Sequence, residues 1–282
     1  MPTALVIVFT LALGFIVVCA VNASALMPRS MLRERYLKDA AAPGAVEVDA
    51  PDAVLDRVQA RNRVALIVSA LCTAAAAVAL PFLEFPAIQR LVSVLLLAAA
   101  VPMLMTRALM SGERGAARLA GHTDEQPTIA DYLPVGLVAA LVAAQVVFLG
   151  VYVSLSLAQQ PDDRGWVYAW AVASAVATAA SLVVVVWRVR QPRPADVVGR
   201  YWADRLRTDD LVGLVVIGPV IALGVTLTAF TYGGPGPTAT PVFPFLLFGL
   251  AYLVVLVGLI VALGVRAPRR MRQRLWPMGV GV

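Results

Sequence analysis

The side chains that most often carry enzyme chemistry are scarce in this chain of 282 residues. It contains one histidine, His122, and two cysteines, Cys19 and Cys72, which both lie in apolar runs. Zinc and redox metals are usually held by clusters of His and Cys side chains, and a single loop histidine cannot form such a cluster. The sequence therefore predicts no metal, no cofactor and no catalytic set.

Three carboxylates are placed where a lipid-modifying reaction would need an acid, near the ends of long apolar runs. These are Glu84, Asp131 and Asp196. None of them has a nucleophile or a second acid at a suitable spacing. The chain also lacks a G-x-x-x-x-G-K-[ST] or G-x-G-x-x-G motif, so the sequence does not indicate an ATPase.

Helix breakers and a few polar side chains inside the apolar runs are the best candidates for lining a transport pathway. Gln145 is the strongest single candidate, and Pro102, Gly218, Pro219 and Thr226 complete the set. Proline removes one backbone hydrogen bond and can kink a helix, and broken helices often line transport sites. Two alternatives remain open: Gln145 makes an interhelical hydrogen bond, and the prolines are merely tolerated in the membrane.

Ionisable side chains are absent from the middle of every long apolar run. Such side chains at membrane depth mark proton relays and ion sites. We therefore expect neither a proton pump nor a sodium-coupled antiporter, and we expect buried charge to be scarce.

Composition places the chain among membrane proteins. Hydrophobic residues make up 60% and charged residues 14%, whereas soluble domains carry about 25% charged residues. Crossing the hydrocarbon core takes roughly 20 apolar residues, and seven runs are long enough. We expect an all-α polytopic membrane protein, one transmembrane domain over 1–282, with spans at about 4–27, 63–83, 87–107, 133–157, 166–188, 210–231 and 243–265.

Basic residues indicate the orientation of these seven spans. All of the 23 Lys and Arg residues except Arg90 and Arg164 fall in the loops 28–62, 108–132 and 189–209, in the tail 266–282, or directly beside them. The positive-inside rule makes these segments cytosolic, with the N-terminus outside and the C-terminus in the cytosol. No Lys or Arg precedes the first run, so we expect an uncleaved anchor and not a signal peptide.

Small residues recur at every fourth position in two of the predicted spans. Such ridges let helix backbones approach closely in lipid, although general alanine richness would also produce them. The ridges are Ala65, Ser69, Thr73 and Ala77 in the second span and Ala169, Ala173, Ala177 and Ser181 in the fifth.

Two helix starts are predicted from local sequence. Pro51 is suited to opening a cytosolic helix that continues through Asn62 into the second span. Thr208, Asp209 and Asp210 are suited to starting the sixth span, with acids at the positive end of the helix dipole.

The loop over 189–209 contains an amphipathic stretch at 195–207, which we expect to lie along the membrane surface. Together with the basic tail it predicts contact with anionic lipid, or docking of a membrane or cytosolic partner. The candidates are Arg200, Trp202, Arg205, Arg207, Arg269, Arg270 and Arg272. The alternative is that these residues only set topology. A sequence pI near 9.8 then requires no nucleic-acid partner.

These observations leave three functions. The first is a permease-like transporter, or the membrane subunit of one, for a neutral or amphipathic solute. The second is a non-catalytic accessory subunit that assembles with other membrane subunits. The third is a lipid-modifying enzyme. Residue usage rich in Ala, Val and Arg and poor in Lys favours a bacterial plasma membrane.

Overall fold

All elements in the described part of the chain are helices. The structure, a computed structural model, describes residues 28–40, 52–79, 88–110, 127–157, 161–194, 197–229 and 242–277, and a few positions between 11 and 26. Within these ranges the helices are α1 (Arg29–Ala40), α2 (Asp52–Ala79), α3 (Ile88–Leu109), α4 (Ile129–Tyr132), α5 (Val135–Leu157), α6 (Pro161–Val189), α7 (Val197–Val215), α8 (Ile217–Ala229) and α9 (Val242–Leu275).

Four of these helices contain segments long and apolar enough to cross a membrane. The segments are Val54–Ala79, Val135–Ser154, Tyr168–Val189 and Leu247–Leu275, which correspond to the second, fourth, fifth and seventh predicted spans. The third predicted span has a shorter described apolar stretch, Leu97–Thr106, and most of the first lies outside the described residues. The membrane class is therefore supported, whereas seven spans and their orientation stay predictions.

The second predicted span begins as expected. α2 starts at Asp52, directly after Pro51, and continues without interruption to Ala79. Its small-residue ridge (Ala65, Ser69, Thr73 and Ala77) is buried, and the Ser69 hydroxyl donates a hydrogen bond of 2.8 Å to the Ala99 carbonyl of α3. The ridge therefore serves close packing of α2 against α3, as predicted.

The ridge predicted for the fifth span is correct in its second half only. Ser181 is buried and Ala177 is half-buried against the core, whereas Ala169 and Ala173 are exposed. Ser174 and Thr178 of α6 are buried beside this ridge, because their hydroxyls find hydrogen-bond partners inside the helix bundle.

The prediction that Thr208, Asp209 and Asp210 start a helix is also wrong. All three lie inside α7, which begins at Val197. α7 ends at Val215, and α8 resumes at Ile217. Pro219 explains this break, because proline has no N–H to donate to the Val215 carbonyl four residues earlier.

The main apolar core lies among α5, α6, α7, α8 and α9. At its centre the Phe148 ring stacks on the Tyr252 ring, with 3.9 Å between the centroids. A second, smaller core joins α7 to the start of α2. It is formed by Leu55, Val58, Tyr201 and Trp202.

The apolar face of the 195–207 stretch, which was expected to contact lipid, therefore packs on another helix. Tyr201 and Trp202 are buried on that face, where Leu55 and Val58 of α2 cover them. In the structure this face is part of the protein interior.

Candidate functional site

The interior contains two clusters of polar side chains. The first is uncharged and lies where α5, α6 and α8 meet. We call it the Gln145 cluster: Gln145, Ser174, Thr178 and Gly218. The buried Gln145 amide donates from Nε2 to the hydroxyls of Ser174, at 2.7 Å, and Thr178, at 2.8 Å. The Ser174 hydroxyl then donates to the Gly218 carbonyl at 2.8 Å. One chain of hydrogen bonds therefore connects three helices.

The helix break between α7 and α8 is built into this cluster. A Cβ atom on Gly218 would lie 1.8 Å from Thr178 Oγ1 and 2.9 Å from the Thr178 Cα atom. Only glycine therefore allows α8 to approach α6 this closely. Pro219, the next residue, is bound to α9, because the Tyr252 hydroxyl donates to the Pro219 carbonyl at 3.0 Å.

Three of the five predicted pathway residues thus come together: Gln145, Gly218 and Pro219. Their hydrogen bonds are also those of the alternative prediction, in which Gln145 is an interhelical packing residue. Pro102 lies half-buried within α3. The Thr226 side chain falls outside the part of the chain whose side chains are described.

The second polar group is charged and lies at the end of the bundle where α7 packs against α2. We call this end the arginine-rich end, and we call the group the Arg–Asp cluster: Arg61, Arg188, Arg193, Asp204 and Asp210 with Tyr132 and Trp276. Its two carboxylates lie on α7, six positions apart, and each contacts groups from several elements.

Asp210 is held between two arginines from other helices. Arg61 of α2 donates to its Oδ1 atom at 2.5 Å, and Arg188 of α6 donates to its Oδ2 atom at 3.1 Å. All three side chains are at most 10% exposed. Because charge–charge attraction is strong where water is excluded, this triad ties α2, α6 and α7 together.

Asp204 is fully buried and accepts hydrogen bonds from three elements. Tyr132 of α4 donates its hydroxyl to Oδ1 at 2.7 Å. Trp276, directly after α9, donates Nε1 to Oδ2 at 3.2 Å. Arg193, in the connection between α6 and α7, donates Nε at 3.0 Å and forms an ion pair. The carboxylate thus receives the neutral and charged donors that a buried anion requires.

Another arginine, Arg207, contacts the ring of Tyr132. The Arg207 guanidinium lies 5.9 Å from the centre of the Tyr132 ring and donates to the carbonyls of Val189 and Gln191. Burial raises the pKa of the Tyr132 phenol well above its ordinary value, and the nearby Asp204 charge raises it further. The phenol therefore stays protonated and donates its hydrogen bond throughout the physiological pH range.

The predicted docking residues are distributed differently from the sequence expectation. Arg269 is exposed and Arg272 is half-buried. Arg200 donates to the Pro194 carbonyl at 3.0 Å, and Arg270 donates to the Ala130 carbonyl at 2.5 Å. The remaining three, Trp202, Arg205 and Arg207, are buried. Arg205 forms an ion pair with Asp209.

Buried charge is therefore not scarce, contrary to the sequence expectation. The charges lie at one end of the bundle, on residues that are not at the middle of any predicted span. The one signal in the sequence is that Asp204 falls among the arginines of the predicted loop 189–209, with Asp209 and Asp210 at its end.

The acids considered for lipid chemistry are not assembled into a reactive site by the residues that the structure covers. Asp131 caps its own helix, accepting from the Thr128 backbone N–H at 2.7 Å. Glu84 and Asp196 lie outside the described residues, as does His122. Among the residues whose placement is described, no group of three His, Cys, Asp or Glu side chains could hold a metal ion.

Comparison with known proteins finds no matching protein family, no matching curated protein and no matching solved structure. The functional argument therefore depends on the two polar groups themselves. The Gln145 cluster offers neutral donors and acceptors in an apolar interior. The Arg–Asp cluster joins α2, α4 and α6 to α7, together with Arg193 and Trp276, through buried carboxylates.

Proposed function

We propose that the chain is a permease-like transporter of a bacterial plasma membrane, and that it moves a neutral or amphipathic solute. The observation that carries the proposal is the meeting of Gln145, Ser174 and Thr178 with a helix break at Gly218 and Pro219. Neutral polar groups beside a broken helix are the usual construction of a transport site in a membrane helix bundle.

The chemistry of the cluster fits a solute without net charge. Its donors and acceptors are an amide, two hydroxyls and a backbone carbonyl, and they exchange hydrogen bonds with one another. A hydroxyl or amide of a passing solute would replace these bonds one for one. A charged solute would lose its hydration and gain no counter-charge from these groups.

Reconstitution into liposomes tests this function directly. Stopped-flow light scattering would follow the uptake of erythritol or ribose by liposomes that contain the purified protein. We expect Gln145→Leu to lower solute uptake about fivefold, because a hydrogen bond of about 1 kcal/mol to the moving solute is lost. Pro219→Ala should also lower uptake, because it allows the broken helix to become continuous.

Val146→Leu is the matched control for these measurements, since Val146 is the neighbour of Gln145 and is exposed on the outside of α5. It should leave uptake unchanged. The proposal fails if liposomes with protein take up both sugars no faster than empty liposomes. The proposed pathway alone fails if uptake occurs and neither Gln145→Leu nor Pro219→Ala alters it.

A non-catalytic accessory subunit of a larger membrane complex is the second candidate. It is favoured by the same Gln145 cluster, whose polar groups already bond to one another and so can serve packing alone. It is also favoured by the exposed valines on α6 and α9, including Val176, Val183 and Val261, which suit contact with lipid or another helix. Copurification of stoichiometric membrane subunits in mild detergent, without sugar uptake by the isolated chain, would support this candidate.

The proposed orientation places the arginine-rich end in the cytosol, where anionic lipids would contact its exposed arginines. Arg269 is such a residue. An orientation with this end outside would oppose the positive-inside rule. Labelling of an Arg269→Cys variant by a membrane-impermeant thiol reagent, in intact and in opened cells, distinguishes the two orientations.

A further inference from the structure

The two carboxylates of the Arg–Asp cluster make α7 the central element of the arginine-rich end. Through Asp210 this helix is bound to α2 and α6. Through Asp204, α7 is bound to α4, to the connection between α6 and α7, and to the residue that follows α9. The partners come from three other helices and two non-helical segments, and the two acids that hold them lie within two turns of one helix.

The C-terminal end of α7 is not continued by regular helix. α7 ends at Val215, and α8 begins at Ile217. Pro219 cannot donate a backbone hydrogen bond across this point, although Val220 donates to the Val216 carbonyl beyond it at 2.9 Å. Asp204 and Asp210 lie eleven and five residues before Val215, so both are on the same side of the interruption. A helix bound by charges on one side of an interruption can rotate as a unit about it.

We infer that α7 is a gate of the proposed transporter, pivoting at residues 215–219, and that Asp204 and Asp210 are the latch that holds it closed. The inference rests on the proposed transport function, because a gate has meaning only where a solute passes. The pivot adjoins the Gln145 cluster through Gly218. Movement of α7 would therefore open the arginine-rich end and alter the polar cluster together.

Charged groups are suited to such a latch because both of its states can be stable. In the closed state the carboxylates and guanidinium groups compensate each other away from water. In the open state water hydrates each of them, which offsets the lost attraction. Opening an apolar contact of the same size would cost free energy without this compensation, because it exposes apolar surface to water. Trp202 and Tyr201, packed on Leu55 and Val58 of α2, add such an apolar contact and favour the closed state.

The test is a distance measurement between α2 and α7 by electron paramagnetic resonance. Spin labels would be placed at Ala60→Cys on α2 and Val197→Cys on α7, two exposed positions, with Cys19 and Cys72 replaced by serine. Full-length protein in liposomes would be compared with and without Asp210→Asn. We expect Asp210→Asn to raise the ratio of long to short distances by about tenfold or more, since breaking a buried ion pair strongly destabilises the arrangement that contains it.

Asp209→Asn is the matched control. It removes the same charge from the neighbouring residue, but Asp209 pairs with Arg205 of its own helix. This variant should leave the distance distribution as in the parent protein. Should Asp210→Asn fail to fold, Tyr132→Phe replaces it, because it removes one hydroxyl from Asp204 and keeps the shape of the ring. For this variant we expect a smaller shift in the same direction.

Two outcomes overturn the latch. One is that the folded Asp210→Asn protein, or Tyr132→Phe in its place, shows the same distances as Asp209→Asn and the parent. The other is that Asp209→Asn lengthens the distances equally. Sugar uptake measured on the same liposomes separates the two proposals. Uptake with unchanged distances contradicts only the latch, whereas longer distances without uptake in any variant support movement of α7 and contradict transport.

Discussion

The two polar groups in the interior connect helices by different means. The Gln145 cluster uses neutral groups and joins α5, α6 and α8 through contacts of 2.7 to 2.8 Å. The Arg–Asp cluster uses full charges, and its carboxylates bind partners from three other helices and two non-helical segments. Burying a neutral amide that is hydrogen-bonded costs little, whereas a buried charge is tolerated only with a counter-charge.

This difference indicates which substitutions should destabilise the structure most. A neutral cluster that loses one group keeps its remaining hydrogen bonds and leaves no charge behind. A charged cluster that loses one carboxylate leaves arginines whose burial is no longer compensated. We therefore expect the arginine-rich end to dominate stability and the Gln145 cluster to dominate solute uptake, and three substitutions test this division.

The largest effect is expected for Asp210→Asn. This change leaves the buried guanidinium groups of Arg61 and Arg188 facing a neutral amide, and it should lower the free energy of unfolding by about 3–5 kcal/mol. Tryptophan fluorescence during titration with sodium dodecyl sulfate would measure the loss. Asp209→Asn should cost less, because this carboxylate is 31% exposed and pairs with Arg205 of its own helix, although Arg205 is itself buried. Equal losses for the two variants would contradict the greater weight of the ion pairs that join different helices.

A smaller effect is expected for Gly218→Ala. The added Cβ would overlap Thr178, so α8 must move away from α6, and overpacking of this kind costs about 1–3 kcal/mol. Gly150→Ala and Gly258→Ala are the controls, because a Cβ at either position meets no atom within 4 Å. Unfolding midpoints of the three variants give the comparison. A Gly218→Ala protein as stable as these controls would contradict the close approach of α8 to α6.

The smallest effect on stability is expected for Gln145→Leu. Interhelical hydrogen bonds inside membrane bundles contribute about 0.6 kcal/mol on average, and the Ser174 hydroxyl keeps its bond to the Gly218 carbonyl. The same variant should nevertheless lower sugar uptake. A loss of stability as large as that of Asp210→Asn would place the Gln145 cluster among the structural determinants of the fold and remove the contrast between the two groups.

The sequence singled out Gln145 and Gly218 of the Gln145 cluster, but not Ser174, Thr178 or the Arg–Asp cluster, for a physical reason. An amide in a long apolar run stands out, because any partner it finds must come from another helix. Gly218 and Pro219 stand out in the same way, as breakers in an apolar run. Asp204 and Asp210 lie among arginines in a polar segment, where a surface position and a buried position produce the same local pattern.

Helix boundaries also differ in whether local sequence or tertiary contacts decide them. The start of α2 after Pro51 was predictable, because a proline at a helix start is a local signal. The start of α7 was not, because Thr208, Asp209 and Asp210 have the composition of a helix N-terminus and yet lie within a longer helix. The ion pairs of Asp210 with Arg61 of α2 and Arg188 of α6 favour continuation of the helix, and no local rule contains those contacts.

The sequence by itself determined the membrane class, because composition and the length of apolar runs decide whether a segment is more stable in lipid than in water. It also singled out Gln145 and Gly218, which are conspicuous against their immediate neighbours, but not their hydrogen-bond partners Ser174 and Thr178. Tertiary structure alone decided which charges are buried. Arg61 and Asp210 are separated by 149 positions in the chain, and their pairing depends on how α2, α6 and α7 pack together, which no local pattern records.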